Sequence, residues 1–96
     1  ILKTVAALSD LVLEMQKNAA SAFLRKDVSL AISVLNKMPD IRGKEESLLK
    51  NILEKVKDVD SAITLSIIVR DVRRIAGYAV AIADDAMNRV LVPSTH

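Results

Sequence analysis

The segment from Ile67 to Leu91 constrains the fold of this chain most strongly, because its apolar residues recur at alternating steps of four and three. That period is typical of an α-helix that buries one face against its neighbours. The substitution Ile75→Asp, in the middle of this stripe, is therefore expected to unfold or badly destabilise the domain, because the new carboxylate would be buried without a partner. The stripe predicted to face inward consists of Ile68, Val72, Ile75, Ala79, Ile82 and Ala86.

Two earlier segments repeat the helical period and predict helices over about residues 2–25 and 28–56. Short turns between the helices make consecutive helices antiparallel. We therefore predict an all-α fold, an antiparallel three-helix bundle of the spectrin-like, up-down-up type, in one domain over residues 1–92. The inward positions of the first two helices are Val5, Leu8, Val12, Met15, Ala19 and Ala22, and then Ala31, Val34, Met38, Ile41, Leu48, Ile52 and Val56, with Glu45 interrupting the second series.

Polar residues at the turns predict where the helices begin and end. Asp27 is placed to cap the second helix, because its carboxylate can accept hydrogen bonds from free backbone amides. Asp58 or Asp60 is available to cap the third helix in the same way. Pro93 should stop that helix, and residues 93–96 are expected to form a frayed tail.

Pro39 and Gly43 predict an irregularity in the second helix. Proline lacks an amide hydrogen and disfavours helical geometry at the residue before it, while glycine adds backbone freedom. We therefore expect a kink or a brief break between Lys37 and Lys44, which would divide the helix into two pieces.

Composition and charge exclude several classes of protein. Fourteen basic and twelve acidic side chains give a net charge of +2, which is too balanced to indicate nucleic-acid binding. The longest uncharged runs have nine residues, against about 20 in a membrane-spanning helix, and no signal peptide is visible. The absence of cysteine suits a cytoplasmic protein. We therefore expect a cytoplasmic chain without membrane insertion or direct nucleic-acid contact.

The motif Arg70-Asp-Val-Arg-Arg-Ile-Ala-Gly-Tyr-Ala79 resembles the third-helix signature of PhoU-type domains, Arg-x-Leu-Glu-Arg-Ile-(Gly/Ala)-Asp-His-Ala. The resemblance implies one PhoU-like repeat, a three-helix bundle that acts as a non-catalytic regulatory module in the cytoplasm. It also implies a role in phosphate uptake and phosphate signalling through contacts with a protein partner, a transporter or sensor component. The residues that agree with the signature are Arg70, Arg74, Ile75, Ala76 and Ala79.

The positions that carry metal ligands in the PhoU family are changed in this chain. The glutamate and the aspartate of the family motif fall on Arg73 and Gly77, and its histidine falls on Tyr78. We therefore predict that the metal motif is lost and that the chain binds no metal and no cofactor. His96 is the only histidine and lies at the predicted frayed end, so no catalytic site and no enzyme activity are predicted.

Two alternative functions remain open at this stage. PhoU-like repeats are also fused to DNA-binding or potassium-transport regulatory domains, notably in archaea. The chain would then be the oligomerisation or sensing domain of a transcription regulator or a potassium-transport regulator, with a fused upstream domain. The other alternative is a helical metal-binding protein.

Arginines on the third helix form the candidate binding site. Arg70, Arg73 and Arg74 predict a surface for a protein partner or an anion, because guanidinium groups bind phosphate and carboxylate through paired hydrogen bonds. The alternative is a solvated face with weak ion pairs, such as one between Asp71 and Arg74. Gly77 predicts the close approach of another helix, because glycine costs helix stability and adds no side-chain contact.

Apolar residues outside the first inward stripe predict a homodimer. Leu11, Leu13 and Phe23 widen the apolar surface beyond what one helix partner requires. We expect these residues to form a dimer interface. The alternative is that they complete a wide core within one chain.

Overall fold

The computed structural model describes residues 1–91 of the 96-residue chain. It contains three α-helices: α1 (Leu2–Arg25), α2 (Val28–Lys55) and α3 (Val59–Leu91). Each helix packs against both others in a rod of 56 × 21 × 17 Å. The predicted all-α three-helix bundle is confirmed, with α1 and α3 parallel to each other and antiparallel to α2. The predicted stop at Pro93 and the tail at 93–96 lie outside the described residues.

The core is built from the predicted stripes of α1 and α2. All six predicted positions of α1 are buried, and so are the predicted positions of α2 apart from Val56, which is half-buried. Leu8, Ile41, Leu48 and Ile52 are among the largest fully buried side chains. Burial of this aliphatic surface is the main force that holds the bundle together.

The inward stripe of α3 agrees with the predicted one at Ala79 and Ala86, which are buried, and at Val72, which is half-buried against the core, but not at the isoleucines. Ile68, Ile75 and Ile82 are 41%, 37% and 37% exposed, so the prediction that Ile75 is buried is wrong. Each isoleucine is followed directly by a smaller residue that is fully buried instead. Small side chains let α3 lie close to α1 and α2. The large side chains of α1 and α2 then fill the space opposite the small residues of α3. The buried residues of α3 are Val69, Ala76, Ala79, Ala83 and Ala86.

The turn between α1 and α2 has the predicted cap. The backbone N–H of Leu30 donates to Asp27 Oδ1 at 3.0 Å, which confirms Asp27 as the cap of α2. Lys26 adopts the left-handed conformation, with φ 56° and ψ 40°, and its N–H donates to the carbonyl of Ala22. The N–H of Asp27 donates to the same carbonyl at 3.0 Å. These bonds satisfy backbone groups that the end of α1 would otherwise leave free.

The cap of α3 is provided by Asp58 rather than by Asp60. Asp58 Oδ2 accepts hydrogen bonds from the hydroxyl of Ser61 at 2.6 Å and from the backbone N–H of Ser61 at 3.1 Å. Both bonds favour the ionised carboxylate. The Ser61 hydroxyl first, and the Ser61 amide second, therefore lower the pKa of Asp58 from its ordinary value of 3.8.

Asp58→Asn should make the stability of the chain less sensitive to acid. Because the pKa of Asp58 is lowered in the folded chain, the unfolded chain binds a proton more readily. The stabilisation is therefore complete above about pH 4 and is lost as the pH falls through the lowered pKa. Melting temperatures measured at low salt should fall more steeply below about pH 4 for the original chain than for the variant, whose amide cap does not titrate. Parallel pH profiles would contradict this account.

Helix α2 continues past Pro39 without the predicted break. Pro39 is exposed, and the helix on both sides of it contributes to one buried face, through Val34 and Met38 before the proline and Ile41 after it. Packing of this face outweighs the hydrogen bond that proline removes. The prediction that α2 is divided into two pieces is therefore wrong. Within residues 1–91, no helix combines the length and the hydrophobicity needed to cross a membrane.

Candidate functional site

The three predicted arginines lie together on the surface of α3. Arg70, Arg73 and Arg74 line one shallow, open concavity together with Gly77 and Tyr78. Steps of three and four residues place these side chains on successive turns of one helix face. We call this surface the arginine concavity.

Gly77 forms a bare part of the arginine concavity, not a contact with another helix. A Cβ atom built on Gly77 would meet only Arg73 Nη1, at 3.5 Å, among heavy atoms outside its own helix backbone. The predicted close approach of another helix is therefore wrong. The neighbour is a side chain one turn earlier on α3, and the lack of a side chain on Gly77 leaves the guanidinium of Arg73 uncovered on that side.

Arg73 is held at the boundary between α2 and α3 by Glu45. Arg73 Nε lies 3.8 Å from Glu45 Oε1, and both side chains are partly buried. This contact explains why a glutamate interrupts the apolar stripe of α2. A charged residue within an inward stripe is a signal to look for an opposite charge on a neighbouring helix, but the sequence does not show which residue of α3 lies opposite.

The guanidinium groups of the arginine concavity have N–H groups that donate no hydrogen bond within residues 1–91. Arg74 Nη1 lies 3.7 Å from Asp71 Oδ1, and Arg70 has no ion pair within residues 1–91. In that part of the chain, none of the three arginines donates a side-chain hydrogen bond. By contrast, Arg89 Nε donates to Asp85 at 2.9 Å. The arginine concavity therefore presents unused donors to any anionic group that reaches it.

The residues at this site do not fit a metal. In the described residues, no three histidine, cysteine, aspartate or glutamate side chains are grouped so that they hold an ion. Arg73 and Gly77 offer no ligand atom, and a cation beside the arginines would be repelled. Asp40 is a carboxylate of α2 and so a possible metal ligand, but it already lies next to a positive charge, because Lys44 Nζ is 3.7 Å away. That the chain binds no metal and no cofactor stays a prediction.

The predicted dimer residues lie on different sides of α1. Leu13 and Phe23 are 50% and 38% exposed, and the guanidinium of Arg89 lies 5.1 Å from the centre of the Phe23 ring. Phe23 therefore lies on the side of α1 that adjoins α3. Leu11 packs against the core instead and lines grooves between α1 and α2. Leu11, Leu13 and Phe23 therefore do not form one surface. Further apolar surface is provided by the exposed isoleucines of α3, which the sequence pattern had assigned to the core.

Comparison with known proteins identifies one family. The family model described as PhoU domain matches residues 5–86. The match spans most of the chain, with parts of all three helices and every residue of the arginine concavity. No curated protein and no solved structure matches the chain.

Proposed function

Because the chain belongs to the PhoU domain family, we propose that it is a non-catalytic regulatory module of phosphate uptake and phosphate signalling. In this proposal it acts in the cytoplasm by binding a protein partner, a transporter or sensor component. The observation that carries the proposal within this chain is the arginine concavity, which lies on the third helix inside the matched range. The family match is the other support.

The shape of the arginine concavity favours a protein partner over an enclosed small molecule. Ligand pockets for small molecules bury most of their ligand, whereas this concavity is an open surface along one helix. Guanidinium groups recognise carboxylate and phosphate through paired, charge-assisted hydrogen bonds. An acidic segment of a protein therefore matches both the shape and the charge of the surface.

The charges around the arginine concavity also set how strongly it binds. Glu45 and Asp71 offset two of the three positive charges at distances close to 4 Å. The exposed pair of Arg74 with Asp71 contributes little at this length and is weakened by salt, whereas the pair of Arg73 with Glu45 is partly buried. An acidic segment that brings its carboxylates closer would displace Asp71 from Arg74 and compete with Glu45 for Arg73. Binding should therefore be moderate and should weaken as salt is raised.

Opposite effects of two substitutions test this account. The double variant Arg70→Gln and Arg74→Gln should weaken binding of a fluorescent glutamate-rich peptide by about tenfold, because two charge-assisted contacts are lost. Glu45→Gln should strengthen binding by roughly two- to fivefold, because it removes a carboxylate that competes for Arg73. Fluorescence anisotropy at low salt measures both effects.

A matched control separates this surface from general charge. The double variant Arg25→Gln and Arg42→Gln also removes two positive charges, but from exposed positions on α1 and α2. This control should bind the peptide nearly as well as the original chain. Equal losses in both double variants would show that only net charge matters, and would remove the support that the arginine concavity gives to the proposal.

A cellular measurement tests the regulatory role itself. Host cells from which the gene is deleted should lose normal control of phosphate uptake when phosphate is abundant, and the original chain should restore it. The variant Arg70→Gln with Arg74→Gln should restore it poorly, whereas the control variant should restore it fully. Phosphate uptake that does not change on deletion would refute the proposed function.

A further inference from the structure

An apolar groove lies where α2 ends and α3 begins. Its volume is about 440 Å³, which leaves room for more than one side chain of a partner. Four of the aliphatic side chains that line it are more than half exposed, and together they leave roughly 400 Å² of apolar surface, an extent at which exposed patches are often functional. We call this surface the aliphatic groove, and the four residues are Leu53, Val59, Ile63 and Ile67.

The aliphatic groove and the arginine concavity are two parts of one face of α3. Arg70 lines both surfaces. At a rise of about 1.5 Å per residue, the face is roughly 28 Å long. Its first half is apolar, and its second half carries the arginines. Steps of three and four residues connect its exposed residues, which are Val59, Ile63, Ile67, Arg70, Arg74 and Tyr78.

The two ends of this face differ in charge. At the apolar end, Lys57 is followed by Asp58 and Asp60, and all three residues are exposed, so positive charge is not in excess there. At the other end, the three arginines donate no side-chain hydrogen bond within residues 1–91. Glu45 and Asp71 offset their charge only in part. Acidic groups of a partner are therefore attracted to the arginine end of the face.

Shape and charge favour a helix of a protein over a membrane surface as the occupant. An apolar groove receives the apolar side of an amphipathic helix. An anionic membrane that covered the aliphatic groove would instead bring its negative charge close to Asp58 and Asp60. A partner helix laid alongside α3 from Val59 to Arg74 would need about 15 residues.

We propose that this face of α3 binds an amphipathic helix of a protein partner. Aliphatic residues of that helix enter the aliphatic groove, and acidic residues about two turns further along it meet Arg70 and Arg74. This proposal rests on the proposed function, because it describes the segment through which the regulated partner is bound. The order of an apolar half and an acidic half distinguishes this partner from other acidic proteins.

Two fluorescent helical peptides of equal composition test the order of the two halves. In the first peptide, leucines on one side of the helix occupy one half and glutamates occupy the other half. In the second peptide, leucines and glutamates are interleaved. The segregated peptide is made in both directions, and the direction that binds more tightly is used. Fluorescence anisotropy at low salt should show about tenfold tighter binding of the segregated peptide, because only this peptide fills the groove and reaches the arginines together. Equal binding of the two peptides would overturn the proposal.

A double variant, Leu53→Gln with Ile63→Gln, tests the aliphatic groove itself. It should bind the segregated peptide about tenfold more weakly, because two apolar contacts are lost. Both positions are exposed and glutamine is a good helix former, so circular dichroism should show an unchanged helical signal. The matched control, Leu24→Gln with Ile82→Gln, removes the same residue types from exposed positions outside the groove. The control should bind like the original chain, and equal binding by the two variants would overturn the proposal.

Single variants keep the test decisive if the double variant fails to fold. Leu53 is 76% exposed and Leu24 is 79% exposed, so Leu53→Gln and Leu24→Gln are closely matched. Leu53→Gln should bind the segregated peptide more weakly than Leu24→Gln does. The same affinity for both would contradict a role of the aliphatic groove.

A peptide of glutamates without leucines separates failure of this proposal from failure of the proposed function. This peptide can use only the arginine concavity, so the groove variant Leu53→Gln with Ile63→Gln should bind it normally. Arg70→Gln with Arg74→Gln should bind it weakly. If the arginine variant weakens this binding but the segregated peptide has no advantage, the helix-binding proposal alone is overturned.

Two further measurements test other occupants of the aliphatic groove. Vesicles of phosphatidylserine and phosphatidylcholine should not sediment the original chain. Sedimentation that the groove variant abolishes would overturn the proposal, because the groove would then bind lipid. Light scattering should give the same mass for the groove variant and the original chain. A lower mass for the variant would also overturn the proposal, because a second copy of the chain would then cover the groove.

Discussion

Ile52→Asp should leave the chain unfolded at room temperature, whereas Ile75→Asp should fold. Ile52 is 0% exposed on the buried face of α2, and no polar side chain among residues 1–91 is buried near it to receive a charge. An unpaired carboxylate in such a place costs several kcal/mol or forces the group to bind a proton. Since a domain of this size is stable by about 5–15 kcal/mol in total, most of its stability would be lost. Circular dichroism at neutral pH measures the result.

The contrast with Ile75→Asp shows which face of α3 points inward. Ile75 is 37% exposed, so an aspartate there can remain in contact with water. If both variants unfold, Ile75 belongs to the core and α3 is rotated from the orientation described above. If both fold, Ile52 does not lie in the core.

Ala79→Leu should destabilise the bundle by about 1–3 kcal/mol, because it adds volume to a fully packed site. Ala79 is 0% exposed, and so are Ala76 and Ala83 on the adjoining turns. Neighbouring helices therefore cover α3 closely along this stripe, and a larger side chain must displace one of them. Chemical denaturation measures the loss as a lower midpoint.

Ala81→Leu provides the comparison for this effect. Ala81 is exposed on the same helix, and leucine is nearly as good a helix former as alanine. The free energy of unfolding of this variant should therefore stay within about 0.5 kcal/mol of that of the original chain, and its denaturation midpoint should hardly change. Equal midpoints for the two variants would show that α3 does not lie close to its neighbours at Ala79.

The burial of α1 and α2 was predictable because each has one dominant apolar stripe. Helix α3 has two adjoining stripes, since Ile75 and Ala76 are consecutive and both repeat every seven residues, as Ile68 with Val69 and Ile82 with Ala83. Hydrophobicity favours the isoleucines, but close packing of three helices favours the small residues. The choice between the stripes depends on how much volume the other two helices place opposite α3, which a helical period does not contain.

Predictions made from neighbouring residues alone were confirmed at the turns and were wrong at two positions within the helices. Asp27 was predictable as a cap because its hydrogen bond involves only the next three residues. The break expected at Pro39 is absent because packing around the helix outweighed a local preference. Gly77 was misread because its neighbour is an arginine side chain of its own helix.

The candidate site was predictable only in part, for the same reason. The spacing of Arg70, Arg73 and Arg74 is enough to place them on one helix face. The contact of Arg73 with Glu45 depends on how α2 and α3 are aligned along their length. That alignment is set by the whole core, so pairs across helices could not be assigned from either segment alone.

The unbroken course of α2 past Pro39 has a consequence for how the chain folds. Proline cannot donate the hydrogen bond that would normally reach the carbonyl of Leu35, so the two halves of α2 are joined by one bond fewer than a regular helix has. A peptide of α2 alone would therefore tend to come apart at this point. Completing α2 and docking it against α1 and α3 are then one cooperative event, and the continuity of this helix is acquired through assembly of the bundle.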